Sequence, residues 1–198
     1  MPNWCQNSIM IPLAHKKAFM RKFTKGHRER EYSSQPASSI FAWPSYRLQN
    51  VKRWMSPNRI LRAPTDLPEV ERNRWRDDFW GCRPNSRTFE FFDHIGDEYD
   101  GMFEITFDSA WGEIGEDLIY EIAKRLGCDV TYLWFEGGQE IYGMMEVIHD
   151  EDENGRPTIF TQEADDSLDT YETIVTRFFG ASEYAEELII EKYKEVTC

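Results

Sequence analysis

The stretch GMFEITFDSAWGEIGEDLIYEIAKRLGCDVTYLWFEGGQEIYGMMEV, residues 101–147, decides the fold. Phe103, Ile105 and Phe107 alternate with Glu104, Thr106 and Asp108, so an extended segment would sort an apolar set onto one face and a polar set onto the other. This predicts a strand in a sheet with one buried side. The period then lengthens. Ile114, Leu118, Ile122 and Leu126 recur every four residues, with Ile119 and Ala123 beside them, while Glu113, Glu116, Asp117 and Glu121 point elsewhere. Acids lead this helix and Lys124 and Arg125 close it, which suits the helix dipole, and Gly127 supplies a left-handed stop. Residues 130–135 are apolar on both faces, and Glu136-Gly-Gly-Gln139 turns the chain into a second alternating run from Glu140 to Ile148.

Working outward, Trp4 to Ile11 reads as a first strand and Leu13 to Phe23 as a short helix with Leu13, Phe19 and Phe23 on its apolar flank. Residues 26–39 are polar and read as a loop. Asp66-Leu-Pro-Glu69 has the form of a capping box opening a helix to Phe79, and Arg87 to Asp93 alternates with Phe89 and Phe91 together and Phe92 opposed. Downstream, Asn154-Gly155 turns the chain into a strand over residues 157–161. Leu168, Tyr171, Ile174, Val175 and Phe178 mark a helix that Gly180 ends, and Ser182 caps another reaching about Val196.

The order is strand, helix, insert, strand, strand, helix, strand, then a hairpin. It predicts an α+β, ferredoxin-like sheet with helices on one face, a long insert after the first helix, and C-terminal helices. We expect a single domain over 1–198: a core of 1–23 and 87–148 whose order closes without residues 24–79, an insert over 24–86, and a C-terminal hairpin and helices over 149–198.

Composition narrows the function. No apolar run approaches the ~20 residues of a membrane span, and the first residues, MPNWCQNSIM, hold neither a basic leader nor a long apolar segment, so a soluble, cytoplasmic protein is expected. Cys5, Cys82, Cys128 and Cys198 form no CxxC pair, which favours buried thiols over a disulfide framework or a zinc site. The net charge of −13 is unevenly spread: residues 1–88 hold 17 Lys and Arg against 7 Asp and Glu, and residues 89–198 hold 6 against 29. An acidic surface repels nucleic acid and suits basic partners, whereas the basic part would attract phosphate or fold back onto the acidic body.

Three stretches carry a resemblance: MPNWCQN at residues 1–7, WRDDFWGCRPN at 75–85 and FEITFDSAW at 103–111. Together they resemble the YubB-type family of ferredoxin-like-domain proteins carried by phages and plasmids, whose members begin with a similar Met-Pro-Asn-Trp-Cys and carry a Trp-Gly motif before a Phe-Asp-Thr-Ala-Trp motif. Ser109, Gly112-Glu113 and Cys82-Arg83-Pro84 depart from the family's usual residues. The resemblance implies a ferredoxin-like fold and a mobile-element origin, and brings no catalytic residues with it.

The chemistry read from the residues agrees. Asp150-Glu-Asp-Glu-Asn-Gly155 opens like a calcium loop, but its twelfth position is Thr161 where a bidentate Glu is needed, and a hairpin turn explains it better. His15, His27, His94 and His149 lie in no hydrolase or metalloprotease pattern, so no catalytic residues, metal or cofactor are expected. Trp4, Trp111 and Trp134 read as core packing. The leading expectation is a non-enzymatic accessory protein that binds a basic host protein through an acidic face including Asp150, Asp152, Glu186 and Glu187, in the manner of a counter-defence inhibitor or nucleic-acid mimic. The alternative is single-stranded nucleic acid held by the basic, aromatic insert through Lys52, Arg53, Trp54, Arg72, Arg74, Trp75 and Arg76, with the cations on phosphates and the rings on bases.

Overall fold

Backbone pairing organises the computed structural model, which describes residues 4–27, 52–81, 89–96, 99–110, 112–137, 141–151, 157–163, 167–180 and 182–197. The elements run β1 (Trp4–Pro12), a 3-10 turn (Leu13–His15), α1 (Lys16–Phe23), β2 (Thr24–His27), β3 (Lys52–Met55), α2 (Pro57–Ile60) and α3 (Glu69–Trp80). They continue as β4 (Glu90–Asp93), β5 (Met102–Ala110), α4 (Glu116–Leu126), β6 (Val130–Glu136), β7 (Ile141–Glu151), β8 (Pro157–Glu163), α5 (Leu168–Phe179) and α6 (Glu183–Thr197). Six strands form one antiparallel sheet in the order β4-β5-β1-β6-β7-β8, and β2 pairs with β3 separately.

The first four strands of that order are the ferredoxin-like core. The path from β1 through α1 to β4 skips β5, and the path from β5 through α4 to β6 skips β1, so two split crossovers interleave. Both hairpins beyond β6 extend the sheet, and β8 runs to Glu163. Gly127, at φ 67°, ends α4 in the left-handed conformation expected of it. Ser167 and Ser182 cap the two C-terminal helices through the amides of Thr170 and Ala185. Among the described residues, no helix is long and apolar enough to cross a membrane.

One sheet face presents Ile9, Ile11, Phe103, Ile105, Phe107, Tyr132 and Met145 to Phe19 and Phe23 of α1 and to Leu118, Ile122 and Ala123 of α4. The other face is covered as well: Met10, Leu133 and Phe135 pack under Tyr171, Ile174 and Val175 of α5 and Ala185 of α6. The expected one-sided sheet is therefore corrected. Glu104, placed on a solvent face by its alternation, is only 7% exposed. The apolar character of residues 130–135 on both faces already required a second cover.

The insert also belongs to the core. An eight-residue α1 spans only about 12 Å, much less than the nine-residue β1 beside it at about 30 Å. Met55 and Ile60 help complete the cover, each at most 3% exposed. Arg125 of α4 ties them down by donating to the carbonyls of Arg59 (2.5 Å) and Ile60 (2.7 Å). The expectation that the core closes without residues 24–79 does not hold. Nor does the capping box form. Pro68 is the N-cap of α3, so Asp66 sits two residues too early to cap its first amides.

Candidate functional site

A cleft opens where the cover provided by α4 begins. Its geometry rests on two glycines. The amide of Gly115 donates to the carbonyl of Trp80 at 2.9 Å, joining the end of α3 to the turn before α4. A Cβ on Gly81 would lie 2.6 Å from the Gly115 nitrogen, and one on Gly115 would lie 2.6 Å from the Phe79 carbonyl oxygen, so neither position admits a side chain. Gly81 moreover holds φ 72°. This backbone approach brings Asp78, on the last turn of α3, beside Glu113 and the first-turn acids Glu116 and Asp117 of α4.

Tyr132, Trp134 and Met145 line the sheet side of the cleft, whose volume is about 400 Å³. Trp134 is fixed from below. Its cross-strand partner is Gly143, and a Cβ there would fall 2.0 Å from the indole, so the ring lies directly over the glycine. Tyr132 stacks beside it with centroids 5.0 Å apart. The Tyr132 hydroxyl accepts from the Ile114 amide (2.9 Å) and donates to Asn7 Oδ1 (2.7 Å), anchoring the turn before α4 to β1.

Electrostatically the cleft is one-sided. Among the described residues, four carboxylates line it and no Lys or Arg does. Asp78, Glu113 and Asp117 are exposed and make no ion pair among the described residues. The positive end of the α4 dipole offsets part of this charge, which explains why the fold tolerates it.

A second polar cluster lies on the opposite sheet face. Glu104 accepts from Ser8 Oγ (2.5 Å) at one oxygen and from Arg177 Nη2 (2.6 Å) at the other, and His94 Nε2 lies 2.8 Å from that second oxygen. The Arg177 guanidinium sits 3.8 Å from the Tyr99 ring centroid. These are residue types of a catalytic trio, but their order is wrong for one: Ser8 donates to the carboxylate and not to His94, so the imidazole is not placed to take its proton. The cluster is a charge-compensated clamp fastening α5 to the sheet.

The residues singled out from sequence disperse. Asp150 is exposed at the far end of β7, nine residues and about 30 Å beyond Ile141. Glu186 and Glu187 are exposed on α6, whose Tyr184 hydroxyl lies beside Gly137 at the β6–β7 hairpin end. These acids do not form one face, and Asp152 lies outside the described residues, as do most of the turn Asp150–Gly155 and Trp111. Asp150 itself pairs with Thr158 in the β7–β8 ladder.

Lys52, Arg53 and Trp54 lie on β3. Arg72 donates to the carbonyls of Thr65 (3.0 Å) and Leu67 (2.7 Å), and Arg76 donates to Asn73 Oδ1 (2.9 Å) and lies over the Trp80 ring. Trp75 stacks on Phe79 with centroids 4.7 Å apart, and Arg74 is exposed. Trp4, read as core, is 44% exposed. Cys5 and Cys128 are buried free thiols, and burial, with Asp129 adjacent, pushes the Cys128 thiol up to about 12. Among the described residues no three His, Cys, Asp or Glu side chains group to hold a metal.

No family model and no curated protein matches the chain. Among solved structures, the crystal structure of the protein api92 from Yersinia pseudotuberculosis, of the family DUF1281, is similar at 9% identity with a TM-score of 0.45, covering 84% of this chain and 100% of that one.

Proposed function

We propose that this chain is a non-enzymatic accessory protein that binds a basic protein surface. The observation that carries this reading is the cleft between α3 and α4, where Asp78, Glu113, Glu116 and Asp117 line the rim around an aromatic floor with no cation among the described lining residues. Carboxylates gathered this way repel phosphate and attract ammonium and guanidinium groups. The cover of α5 and α6 over the second sheet face supports the same reading, because the surface on which a four-stranded RNA-binding sheet would stack bases is filled by helices. This reading takes the cleft acids as the binding face in place of the expected Asp150, Asp152, Glu186 and Glu187. The resemblance to phage- and plasmid-borne proteins favours a host protein as partner, with the carboxylates standing where the phosphates of a nucleic acid would sit.

The test is capture from host extract with and without nuclease. The wild-type chain should retain a basic protein after nuclease treatment, released as salt rises and the Debye length falls from about 10 Å at 0.1 M to about 3 Å at 1 M. Changing Asp78, Glu113, Glu116 and Asp117 together to Asn or Gln should lose that protein, while Arg74→Glu should keep it. Recovery of nuclease-sensitive nucleic acid alone, lost in Arg74→Glu, would replace this reading with nucleic-acid binding by the insert.

A further inference from the structure

We infer that the cleft is an arginine-reading site: one arginine side chain of the basic partner enters it, lays its guanidinium on the Trp134 indole, and turns its N–H edge to the rim carboxylates. This rests on the proposed binding of a basic protein and names the group that is bound.

Three features of the cleft select this occupant. Its volume of about 400 Å³ lies at the small end of ligand sites, suited to a side chain and not to a helix or strand. Its charge calls for a cation, since Asp78, Glu113 and Asp117 have no cationic partner among the described residues. Its floor discriminates between cations. The indole of Trp134 is held flat over Gly143, and it is only partly buried, so one ring face backs onto the sheet while the residue lines the cleft. A planar, weakly hydrated guanidinium stacks on such a face and still offers several N–H donors at its edge. A lysine ammonium is compact and strongly hydrated and gains less from the ring. Bidentate geometry with a carboxylate is likewise open to arginine alone. An uncharged analogue of the same shape keeps the stacking and loses the attraction.

The experiment is an NMR titration of the full chain with three peptides, acetyl-Gly-Gly-Xaa-Gly-Gly-amide with Xaa arginine, lysine or citrulline. The arginine peptide should bind with a Kd of about 1 mM, as expected for one anchoring side chain. It should shift the Trp134 indole and the Glu113–Asp117 amides, with nuclear Overhauser contacts from the arginine Cδ protons to the indole. Lysine should bind about fivefold to tenfold more weakly and citrulline should produce no saturable shift. Trp134→Leu, checked for folding by its amide spectrum, should bring arginine down to the lysine level. The contacts in the wild-type chain keep the test decisive if that variant does not fold.

Equal binding of lysine and arginine, shifts mapping away from Trp134, or absence of the indole contacts would each overturn the arginine site. Should the neutralised rim variant nonetheless lose the captured basic protein, the proposed function stands with a different anchor. If the wild-type chain captures no basic protein, the underlying function fails whatever the peptides do.

Discussion

The two covers of the sheet meet their charged groups in opposite ways. Under α5, Glu104 is surrounded by Ser8, His94 and Arg177, so a carboxylate 9% exposed in its side chain is satisfied from within the chain. Beside α4, the acids of the cleft are exposed to solvent. The first arrangement converts charge into fold by tying α5 to the sheet. In the second, Asp78, Glu113 and Asp117 make no ion pair among the described residues. The arginines of α3 repeat the lesson, since Arg72 and Arg76 are held by carbonyl and amide oxygens of their own segment. Charge counted along a sequence is therefore a poor measure of charge available for binding.

Breaking the clamp should have the largest effect. Arg177→Ala strands a buried carboxylate and should cost about 3–5 kcal/mol in a urea titration, whereas Glu104→Leu combined with Arg177→Met should recover most of it. A loss under ~1 kcal/mol in the single variant would mean that water reaches Glu104. Leu118→Ala, on the fully buried stripe of α4, should cost about 2–5 kcal/mol. The cleft acids should be nearly neutral by contrast, within about 0.5 kcal/mol each, because they are exposed. Gly143→Ala sharpens the comparison from the floor: the new methyl group collides with Trp134, costing about 1–3 kcal/mol and displacing the indole signal. An unchanged Trp134 resonance would show that the ring does not rest on the glycine.

A further effect concerns pH. The Cys128 thiol ionises at 9.0 when unperturbed and at about 12 in the fold, so the folded state binds the proton more tightly. Its contribution is fully present below pH 9 and is lost as pH rises from 9 toward 12. The decline of unfolding free energy over that window should be shallower in Cys128→Ala than in the wild-type chain. Parallel curves would show the thiol to be solvated.

Much of the fold was legible because its signals are local. The alternation in β5, the four-residue period of α4 and the left-handed Gly127 each lie within one element, and their order suffices for the ferredoxin-like core. What escaped depends on distance along the chain. Glu104 looks like a solvent-facing residue until Arg177 is brought to it by α5, and Met55 and Ile60 look like insert until α1 proves too short. The cleft was only half visible. Glu113, Glu116 and Asp117 were evident as a polar helix flank, but Asp78 joins them only through the contact of Gly81 with Gly115, and Trp134 reads as core until its floor position is seen. Two glycines next to helix ends were the one available signal, and their partnership is a tertiary fact.

If the proposed function holds, the cleft beside α4 is an electronegative site open to cations, unlike the clamp on the other face. Paramagnetic relaxation of the Trp134 indole proton by soluble nitroxides of matched size and differing charge measures it most directly. The account predicts that a cationic nitroxide relaxes this proton more than a neutral one, and a neutral one more than an anionic one, with the differences shrinking when Asp78, Glu113, Glu116 and Asp117 are neutralised. Equal relaxation by all three probes, or stronger relaxation by the anion, would contradict it.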